Sequence, residues 1–450
     1  MKYSLITFGC QMNKSDSERI ATLLENLGYK RASKIDEANL IVVNMCSVRQ
    51  SAVDRVYGLQ PKFEKLKTKN SKLKTVLTGC ILKEDRKKFA QYFDYILDIK
   101  KLTKWPNFLP NQTIVIKQPW QSYYENNNYF KIEPKYSSFP VGYVPISNGC
   151  NNFCTYCAVP YVRGPLVCRD HREILKEVKK IIEKGFKEVW LLGQNVNDYQ
   201  SPTDESINFP KLLRMVNDIP GDFWIRFTSP HPKDFSDELI EAMSCCEKLT
   251  PYLNLPFQSG DNKILRKMNR NYTAEYYKNL VKKIRKEIPD ITLSTDIIVG
   301  FPGETKKQFE NTVKLFREIK FDMAYIAQYS PRPGTAAFKM KDDVRKEEKK
   351  RREKILTEIL KKIALEKNKM YLGKIVEVLP IESKNGFLIG KSFHYKTVKF
   401  SMGKAQSPSL HSRHYANVPI RIINKNLIGK FVKVKIIDAQ PWGLKGELAK

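Results

Sequence analysis

The sequence predicts an α/β protein with three folded parts: a parallel α/β domain, a partial barrel of six β/α units and a small C-terminal β-barrel. Apolar strand-like runs alternate with amphipathic helical segments over residues 1–120 and again over 141–370. Short strands of alternating polar and apolar residues occupy 371–450. We expect residues 121–140 to be a linker. The chain has 450 residues, enough for about three domains.

In the first part, each of three predicted strands, at residues 2–8, 39–45 and 74–78, runs into a cysteine. These cysteines are Cys10, Cys46 and Cys80. Ligands gather beyond the carboxyl ends of the strands in open parallel sheets, so we expect the thiols to converge at one edge. The alternative is three separate buried thiols.

A helix is predicted over residues 15–28, directly after the first of these cysteines. Ser15 and Glu18 have the spacing of a capping box, and apolar residues follow at helical intervals. Gly28 is the expected stop. Gly9 and Gly79 permit tight turns beside two of the cysteines.

A second set of three cysteines lies in the run NGCNNFCTYC, after the first predicted barrel strand. Cys150, Cys154 and Cys157 have the spacing C-x3-C-x2-C, whereas zinc sites usually present paired C-x2-C knuckles. Three thiolates can hold three irons of a 4Fe-4S cluster and leave the fourth open. With Tyr156 before the last cysteine, the pattern resembles the radical S-adenosylmethionine (SAM) superfamily. The alternative is a structural zinc site with Cys168 as fourth ligand.

Six barrel strands are predicted, and polar, glycine-rich segments follow most of them, where barrel chemistry is found. The strands are at 142–147, 187–192, 223–228, 252–257, 291–299 and 323–329. Glycines at the mouth would let the backbone approach SAM, and polar side chains would bond its adenine, ribose or carboxylate. The candidates are Tyr156, Gly193, Gln194, Arg226, Gln258, Asp296 and Gly300. Ordinary turn chemistry explains the glycines equally well.

The net charge of +31 and a pI of about 9.6 suit a polyanionic partner, nucleic acid first. An AT-biased genome, which favours lysine codons, is the alternative explanation. The N-terminus lacks the pattern of a signal peptide, and the cysteine count is nine. No apolar run approaches the roughly 20 residues that span a bilayer. We therefore expect a cytoplasmic protein with reduced thiols and no membrane association.

The end of the chain begins with a strongly charged segment, residues 341–369, predicted to be a helix with a solvated face. Strands are then predicted within 374–383, 387–401 and 430–440, with lysines between apolar positions, a pattern that suits a surface tracking phosphates. Residues 401–418 are predicted to be a mobile loop. In the linker region 101–140 we expect an edge strand or two, with aromatic residues that pack on a neighbouring domain; stacking on RNA bases is the alternative.

Motifs along nearly the full chain together resemble the methylthiotransferases, radical SAM enzymes with an N-terminal iron–sulfur domain and a C-terminal TRAM domain. They are TFGCQMNKSDSE, NMCSVR, LTGC, NGCNNFCTYCAVPYVRG, LLGQNVNDY, SPHPKD, PFQSGD, DIIVGFPGET and YSPRPGT. Asn254 and Met45 depart from the residues usual in the family, and neither is a predicted iron ligand. Cys168, Cys245 and Cys246 are expected to be buried thiols.

The resemblance implies two 4Fe-4S clusters with separate roles. Cys150, Cys154 and Cys157 would hold the cluster that cleaves SAM reductively to a 5′-deoxyadenosyl radical. Cys10, Cys46 and Cys80 would hold an auxiliary cluster that supplies the methylthio group. The implied partners are SAM, a tRNA anticodon stem-loop and an electron donor such as flavodoxin or ferredoxin, and the chain is expected to be a monomer.

The residues after the first cysteine, GCQMN followed by DSE, resemble the branch that methylthiolates carbon 2 of isopentenyl-adenosine at tRNA position 37, 3′ to the anticodon. Branches that act on threonylcarbamoyl-adenosine or on a ribosomal protein remain alternatives. A zinc-stabilised RNA-binding protein without catalysis is the alternative from a different class.

Overall fold

The computed structural model describes residues 1–48, 50–109, 129–401 and 426–449. It has the predicted α/β architecture, with an N-terminal parallel sheet, six parallel strands with helices in the middle and a closed C-terminal barrel. Within these residues no helix combines the length and apolarity needed to cross a membrane.

The N-terminal sheet is parallel and has the order β2-β1-β3-β4-β5. Its strands are β1 (Lys2–Phe8), β2 (Lys30–Arg31), β3 (Leu40–Cys46), β4 (Lys74–Cys80) and β5 (Tyr95–Ile96). Its helices are α1 (Gln11–Asn26), α2 (Gln50–Tyr57), α3 (Gln60–Lys69) and α4 (Lys83–Phe89). Every residue of the central strand β3 is buried, as expected for a parallel strand covered on both faces.

Helix α1 begins earlier than predicted, with Cys10 at its N-cap. The predicted capping box is wrong because both of its side chains bond to other parts of the chain. Ser15 donates to the Tyr143 carbonyl (3.2 Å), and Glu18 accepts from the Ser137 amide (2.9 Å). The start of α1 is thus shaped by contacts with the middle of the chain, which its own sequence does not reveal.

The middle of the chain forms two three-stranded parallel sheets, in the orders β12-β9-β6 and β13-β14-β15, joined by a parallel bridge between Ile225 and Leu249. The strands are β6 (Val141–Pro145), β9 (Glu188–Leu192), β12 (Trp224–Phe227), β13 (Tyr252–Asn254), β14 (Thr292–Val299) and β15 (Met323–Gln328). This confirms the six predicted strands. Two short antiparallel pairs were not predicted, β7 (Ser147–Asn148) with β8 (Val167–Cys168) and β10 (Gln200–Ser201) with β11 (Asp204–Asn208).

Helices cover the outside of these strands and bury a large apolar core against them. They are α6 (His171–Glu183), α7 (Phe209–Asn217), α8 (Asp237–Cys245), α9 (Asn262–Lys267), α10 (Ala274–Glu287), α11 (Lys306–Ile319) and α12 (Lys346–Lys369). The short helix α5 (Val159–Arg163) instead follows the Cys150–Cys157 loop and packs toward the N-terminal domain. Helix α12 is the charged segment. One of its faces packs on the barrel through Leu356 and Leu360, and Arg352 forms a buried ion pair with Glu304 (2.6 Å). The prediction that this helix has a solvated face is therefore correct for only part of its surface.

The C-terminal strands close into a barrel of order β16-β17-β18-β20-β19. They are β16 (Ile375–Lys384), β17 (Phe387–Ser392), β18 (Thr397–Ser401), β19 (Val432–Gln440) and β20 (Gly443–Leu448), the last of which was not predicted. The turn between β17 and β18 reaches into the middle domain, where the Tyr395 ring lies 4.3 Å from that of Tyr252 and 5.3 Å from that of Trp190. The two barrels are therefore packed together.

The linker region contains 3-10 helical segments at Ile99–Asn107 and Tyr129–Lys131, and no edge strand within 101–109 or 129–140. Trp105, Tyr129 and Phe130 are buried in the core of the N-terminal domain, which confirms that linker aromatics pack on a neighbour. The predicted mobile loop lies outside the described residues except for Ser401.

Candidate active site

The loop from Cys150 to Cys157 follows β7 and docks on the end of α9. The Asn269 side chain donates to the carbonyls of Asn152 (3.0 Å) and Phe153 (3.2 Å), which fixes the path of the loop. Each of the three sulfurs has one donor at 3.4–3.6 Å. The donors are Asn152 Nδ2 for Cys150, Arg270 Nη1 for Cys154 and the Val159 amide for Cys157. Hydrogen bonds to ligating sulfurs are a usual feature of iron–sulfur sites.

The other three cysteines meet at the carboxyl edge of the N-terminal sheet. Cys46 and Cys80 end adjacent strands in direct register, and their thiols share a hydrogen bond. Cys10 lies at the N-cap of α1, close enough that its charge would affect both of the others. Gly79 makes this arrangement possible, because its φ of +106° and the close Met45 carbonyl leave no room for a side chain.

The short helix α5 connects the two sets of thiols. It begins two residues after Cys157 and ends at Arg163. An apolar cluster joins its surroundings to the N-terminal cysteines, and its buried members are Cys46, Cys80, Leu82, Ala158 and Val162. Arg163 donates from Nε to the Cys80 sulfur at 2.9 Å. The two cysteine sets are therefore neighbours across one five-residue helix.

Burial keeps most of these thiols neutral. It raises the pKa of Cys10 and Cys150, and it raises the pKa of Cys157 to about 12. The hydrogen bond between the other two thiols lowers the pKa of Cys46 and, together with burial, raises the pKa of Cys80. Binding of iron, which takes thiolates, would therefore release protons at neutral pH.

No three His, Cys, Asp or Glu side chains of the described residues are grouped closely enough to hold a single metal ion. A 4Fe-4S cluster attaches each cysteine to a different iron, so its ligands need no common centre. Cys168 lies on β8, paired with Ser147, and is half-buried. Cys246 is buried as expected, whereas Cys245 is exposed, which corrects that prediction.

A cavity of about 720 Å³ lies beside Cys157 and extends to residues that follow Cys46. Cys157 and Tyr156 line one side, and Val48 and Gln50, which follow Cys46 closely, line another. Its remaining walls include Gln258, Asp296, Tyr325, Arg332 and Trp442. The volume is in the range of small-molecule sites.

Two predicted SAM contacts, Gln258 and Asp296, line this cavity. Gln258 is buried, has a φ of +63° and leaves its Oε1 without a partner, although it lines the cavity. Asp296 accepts from Asn254 (2.9 Å) and also faces the cavity. A buried acceptor beside an open space is a group that a ligand can satisfy. These side chains therefore fit a charged, polar cofactor such as SAM.

Gln194 and Gly193 shape the cysteine loop. The Gln194 Oε1 accepts from the Gly149 amide (2.5 Å), one residue before Cys150. A side chain at position 193 would collide with the Ser147 hydroxyl, so the glycine is explained by packing. Both residues therefore support the loop that carries the first thiol.

Arg226 and Gly300, also predicted SAM contacts, do not line this cavity. Arg226 is buried at the junction with the C-terminal barrel, where protein groups accept its hydrogen bonds. Its acceptors are Glu188 (2.9 Å), Thr250 (2.7 Å) and the carbonyls of Ser392 (3.0 Å) and Phe393 (3.2 Å). At Gly300 the space for a side chain is filled by Lys349 of α12.

Arg163 and Arg270 are residues of the site that the motifs did not single out. Both are at most 5% exposed, and each donates to a cysteine sulfur. Their partners are separated from them by 83 and 116 positions in sequence, so no local pattern points to the contacts. The one local signal was for Arg163, which lies in the run YVRG shortly after the Cys150–Cys157 motif.

Two segments of the chain match known families. Residues 144–316 match the Radical SAM superfamily, and residues 2–98 match the uncharacterized protein family UPF0004. The first match covers the Cys150–Cys157 loop and, of the strands that line the cavity, β14 but not β15. The second covers the strands that end at Cys10, Cys46 and Cys80.

The fold is also similar to solved radical SAM structures at low sequence identity. The radical S-adenosylmethionine methyltransferase TsrM from Kitasatospora setae aligns with a TM-score of 0.51 and 13% identity, over 75% of each chain. The cobalamin-dependent radical enzyme OxsB aligns with a TM-score of 0.51 and 10% identity, over 81% of this chain and 56% of that one. These similarities concern the fold alone.

Curated proteins match over the full length. One from Thermoanaerobacter sp. (strain X514) is 41% identical over 99% of this chain and 92% of its own length, and one from Clostridium botulinum (strain Langeland) is 41% identical over 99% and 96%. One from Acetivibrio thermocellus is 40% identical over 100% and 91%. All three carry the same name, so this chain belongs to the family of the tRNA-2-methylthio-N(6)-dimethylallyladenosine synthases, within the Radical SAM superfamily.

Proposed function

We propose that this chain is a tRNA methylthiotransferase that places a methylthio group on carbon 2 of N6-dimethylallyl-adenosine, also called isopentenyl-adenosine, at position 37 next to the anticodon. One observation carries the proposal: α5 joins two sets of three cysteines, and a cavity beside it is lined by Cys157 of one set and by Val48 and Gln50, close after Cys46 of the other. The relatives named for this reaction match both halves of that arrangement.

The two cysteine sets would hold two clusters. The superfamily implies SAM and one 4Fe-4S cluster, for which Cys150, Cys154 and Cys157 are the proposed ligands. Cys10, Cys46 and Cys80 are the proposed ligands of the auxiliary cluster. When bound, the first supplies the electron that cleaves SAM to a carbon radical, and the second supplies methylated sulfur.

The protein's own contribution is to position and shield the reactants, because carbon 2 of adenine has an unactivated C–H bond and no leaving group. Gln258 and Asp296 would bind the polar groups of SAM beside Cys157. Tyr156, whose side chain lines the same cavity, would pack against it. The cavity is bounded by residues of both domains, which would place the radical step between them.

The parts of the chain would divide the remaining tasks. We assign residues 1–120 to the auxiliary cluster, 121–140 to the linker, 141–370 to the radical step and 371–450 to tRNA binding, as in a TRAM domain. Exposed lysines alternate with buried apolar residues along β19, a pattern that suits contacts with phosphates. A flavodoxin or ferredoxin would supply electrons, the tRNA substrate implies a cytoplasmic enzyme, and one chain would contain the complete site.

The test is anaerobic reconstitution, measurement of iron and sulfide, and incubation with SAM, reductant and dimethylallylated tRNA, followed by mass spectrometry of the nucleosides. About eight irons per chain and a new 2-methylthio nucleoside are expected. If the iron loads fully but the tRNA is unchanged, the same assay is repeated with the alternative substrates, threonylcarbamoyl-adenosine tRNA and ribosomal protein. Zinc without sulfide would contradict the enzyme and favour an RNA-binding protein.

A further inference from the structure

Each proposed cluster has one buried arginine that donates to a ligand sulfur, and the two arginines differ in how their charge is balanced. Arg163 donates to Cys80 (2.9 Å) and forms an ion pair with Asp16 (2.6 Å) that is almost fully buried. Arg270 donates to Cys154 (3.6 Å), and its other acceptors are neutral oxygens of Pro256 and Tyr272. Among the described residues no ion pair includes Arg270.

Arg163 also reaches beyond the thiol. Its Nη1 donates to the Tyr129 hydroxyl (3.2 Å) and to the Asn148 Oδ1 (3.3 Å), and Asn148 lies two residues before Cys150. Through one guanidinium, the sulfur of Cys80 is therefore connected to α1, to the linker and to the base of the loop that carries the other three cysteines.

We propose that Arg163 is a positioning residue for the auxiliary cluster, which holds the Cys80 sulfur in place and, by hydrogen bond and charge, stabilises the reduced state of that cluster. This assignment rests on the proposed function, because it assumes that Cys10, Cys46 and Cys80 bind a cluster. A donor to a ligating sulfur favours the extra negative charge of the reduced state, so it raises the reduction potential.

Asp16 determines how strongly Arg163 raises the reduction potential of the auxiliary cluster. Its carboxylate lies against the guanidinium and offsets part of the positive charge that the cluster would otherwise experience. Changes at Arg163 and Asp16 should therefore shift the potential in opposite directions, whereas removal of a merely structural support would not reverse sign between them.

The experiment uses the full-length chain with Cys150, Cys154 and Cys157 all changed to Ala, so that every spectroscopic signal comes from the auxiliary cluster. Three further variants are made in this background. Asp16→Asn keeps the bond from Arg163 to Cys80, and Arg163→Met with Asp16→Asn removes both charges without leaving one unpaired. Arg270→Met is the matched control, since Arg270 contacts the other cysteine set.

The readouts are the midpoint potential and the EPR spectrum of the reduced cluster, with iron, sulfide and circular dichroism as checks on loading and folding. We expect a more positive potential for Asp16→Asn, a more negative one for the double variant and no shift for Arg270→Met. Unchanged potential and spectrum in a fully loaded double variant would overturn the assignment. A background chain that binds no iron or sulfide would instead contradict the auxiliary cluster, and with it the proposed function.

Discussion

Substitutions of single cysteines test whether the two proposed clusters have separate roles. Cys150→Ala is expected to abolish cleavage of SAM, because it removes a ligand of the proposed radical cluster. Cys46→Ala is expected to retain cleavage to 5′-deoxyadenosine and to lose methylthiolation, because Cys46 lies with the other set. Liquid chromatography of 5′-deoxyadenosine and mass spectrometry of the tRNA measure the two activities. Cys245→Ala, at an exposed thiol, is the control. Equal loss of both activities in the Cys46 variant would contradict separate roles.

Gln258 offers a test of SAM binding at one atom. Gln258→Asn keeps a residue that tolerates the left-handed backbone but withdraws the amide from the cavity. Loss of one hydrogen bond to a charged ligand costs about 1.5 kcal/mol, so SAM affinity should fall about tenfold. Isothermal titration on the iron-loaded protein measures it. Gln60→Asn, at an amide that bonds Glu64 on an exposed helix, should leave the affinity unchanged. An unchanged affinity for Gln258→Asn would remove this residue from the site.

The residues that sequence could identify are those with a local pattern. The Cys150–Cys157 spacing and the cysteines at strand ends are such patterns, and the structure brings each set together. Arg226 is of a residue type that often contacts ligands, but its partners lie on β9, at Thr250 and at the end of β17, 24 to 167 positions away. Contacts over that distance follow from tertiary packing, which local spacing does not encode.

At the scale of elements, Asp322 connects β15, helix α12 and the C-terminal barrel. It lies just before β15, pairs with Lys367 of α12 and Lys396 of the C-terminal barrel at 2.7 Å each, and is 7% exposed. Asp322→Asn leaves two partly buried ammonium groups without their partner, so the free energy of unfolding should fall by about 3–5 kcal/mol. Urea unfolding of the metal-free protein measures the change. Asp222→Asn, which breaks the exposed pair with Lys187 (3.0 Å), should cost about 0–1 kcal/mol. Equal effects of the two substitutions would contradict the role of this triad.

The same carboxylate predicts a pH dependence. Burial alone would raise the pKa of Asp322, but Lys396 and Lys367 outweigh burial and hold the pKa below its usual range. A lowered pKa contributes stability that is present above the unfolded value of about 3.9 and is lost as the pH falls through the folded value. The acid-induced loss of stability below about pH 4 should therefore be smaller in Asp322→Asn than in the native chain.

Helix α1 shows why element boundaries are harder to predict than the elements themselves. Its apolar period identified a helix, yet the start moved from Ser15 to Gln11. The side chains that would cap the shorter helix contact Tyr143 and Ser137 instead. Strand β20 was missed for a related reason, because its two glycines, Gly443 and Gly446, are weak strand formers that pair here within the closed barrel.

On the scale of the whole molecule, the three parts share buried polar contacts. Arg19 of α1 is fully buried and bonds both carboxylate oxygens of Glu177 on α6 (2.9 and 3.1 Å). Arg226 in turn binds the backbone of the C-terminal barrel at Ser392 and Phe393. Removing the C-terminal barrel would leave Arg226 with unmet donors, so truncation cannot separate RNA binding from folding. Substitutions of surface residues therefore test more directly than truncation which face of the protein binds tRNA.

The net charge of +31 makes tRNA affinity depend on salt whichever face is used, so the location of the tRNA-binding face has to come from matched variants. Lys399, Lys433 and Lys435 are exposed on the C-terminal barrel. Changing all three to Gln should weaken tRNA binding and reduce the slope of log affinity against log salt by about 0.7–0.9 for each lysine that binds a phosphate in the native chain. Filter binding over a salt series measures both the affinity and the slope.

The control makes the same change at Lys282, Lys283 and Lys286 of α10, which removes equal charge from the central domain. If both triple variants weaken binding equally, tRNA responds to total charge, and the C-terminal barrel is not its docking surface.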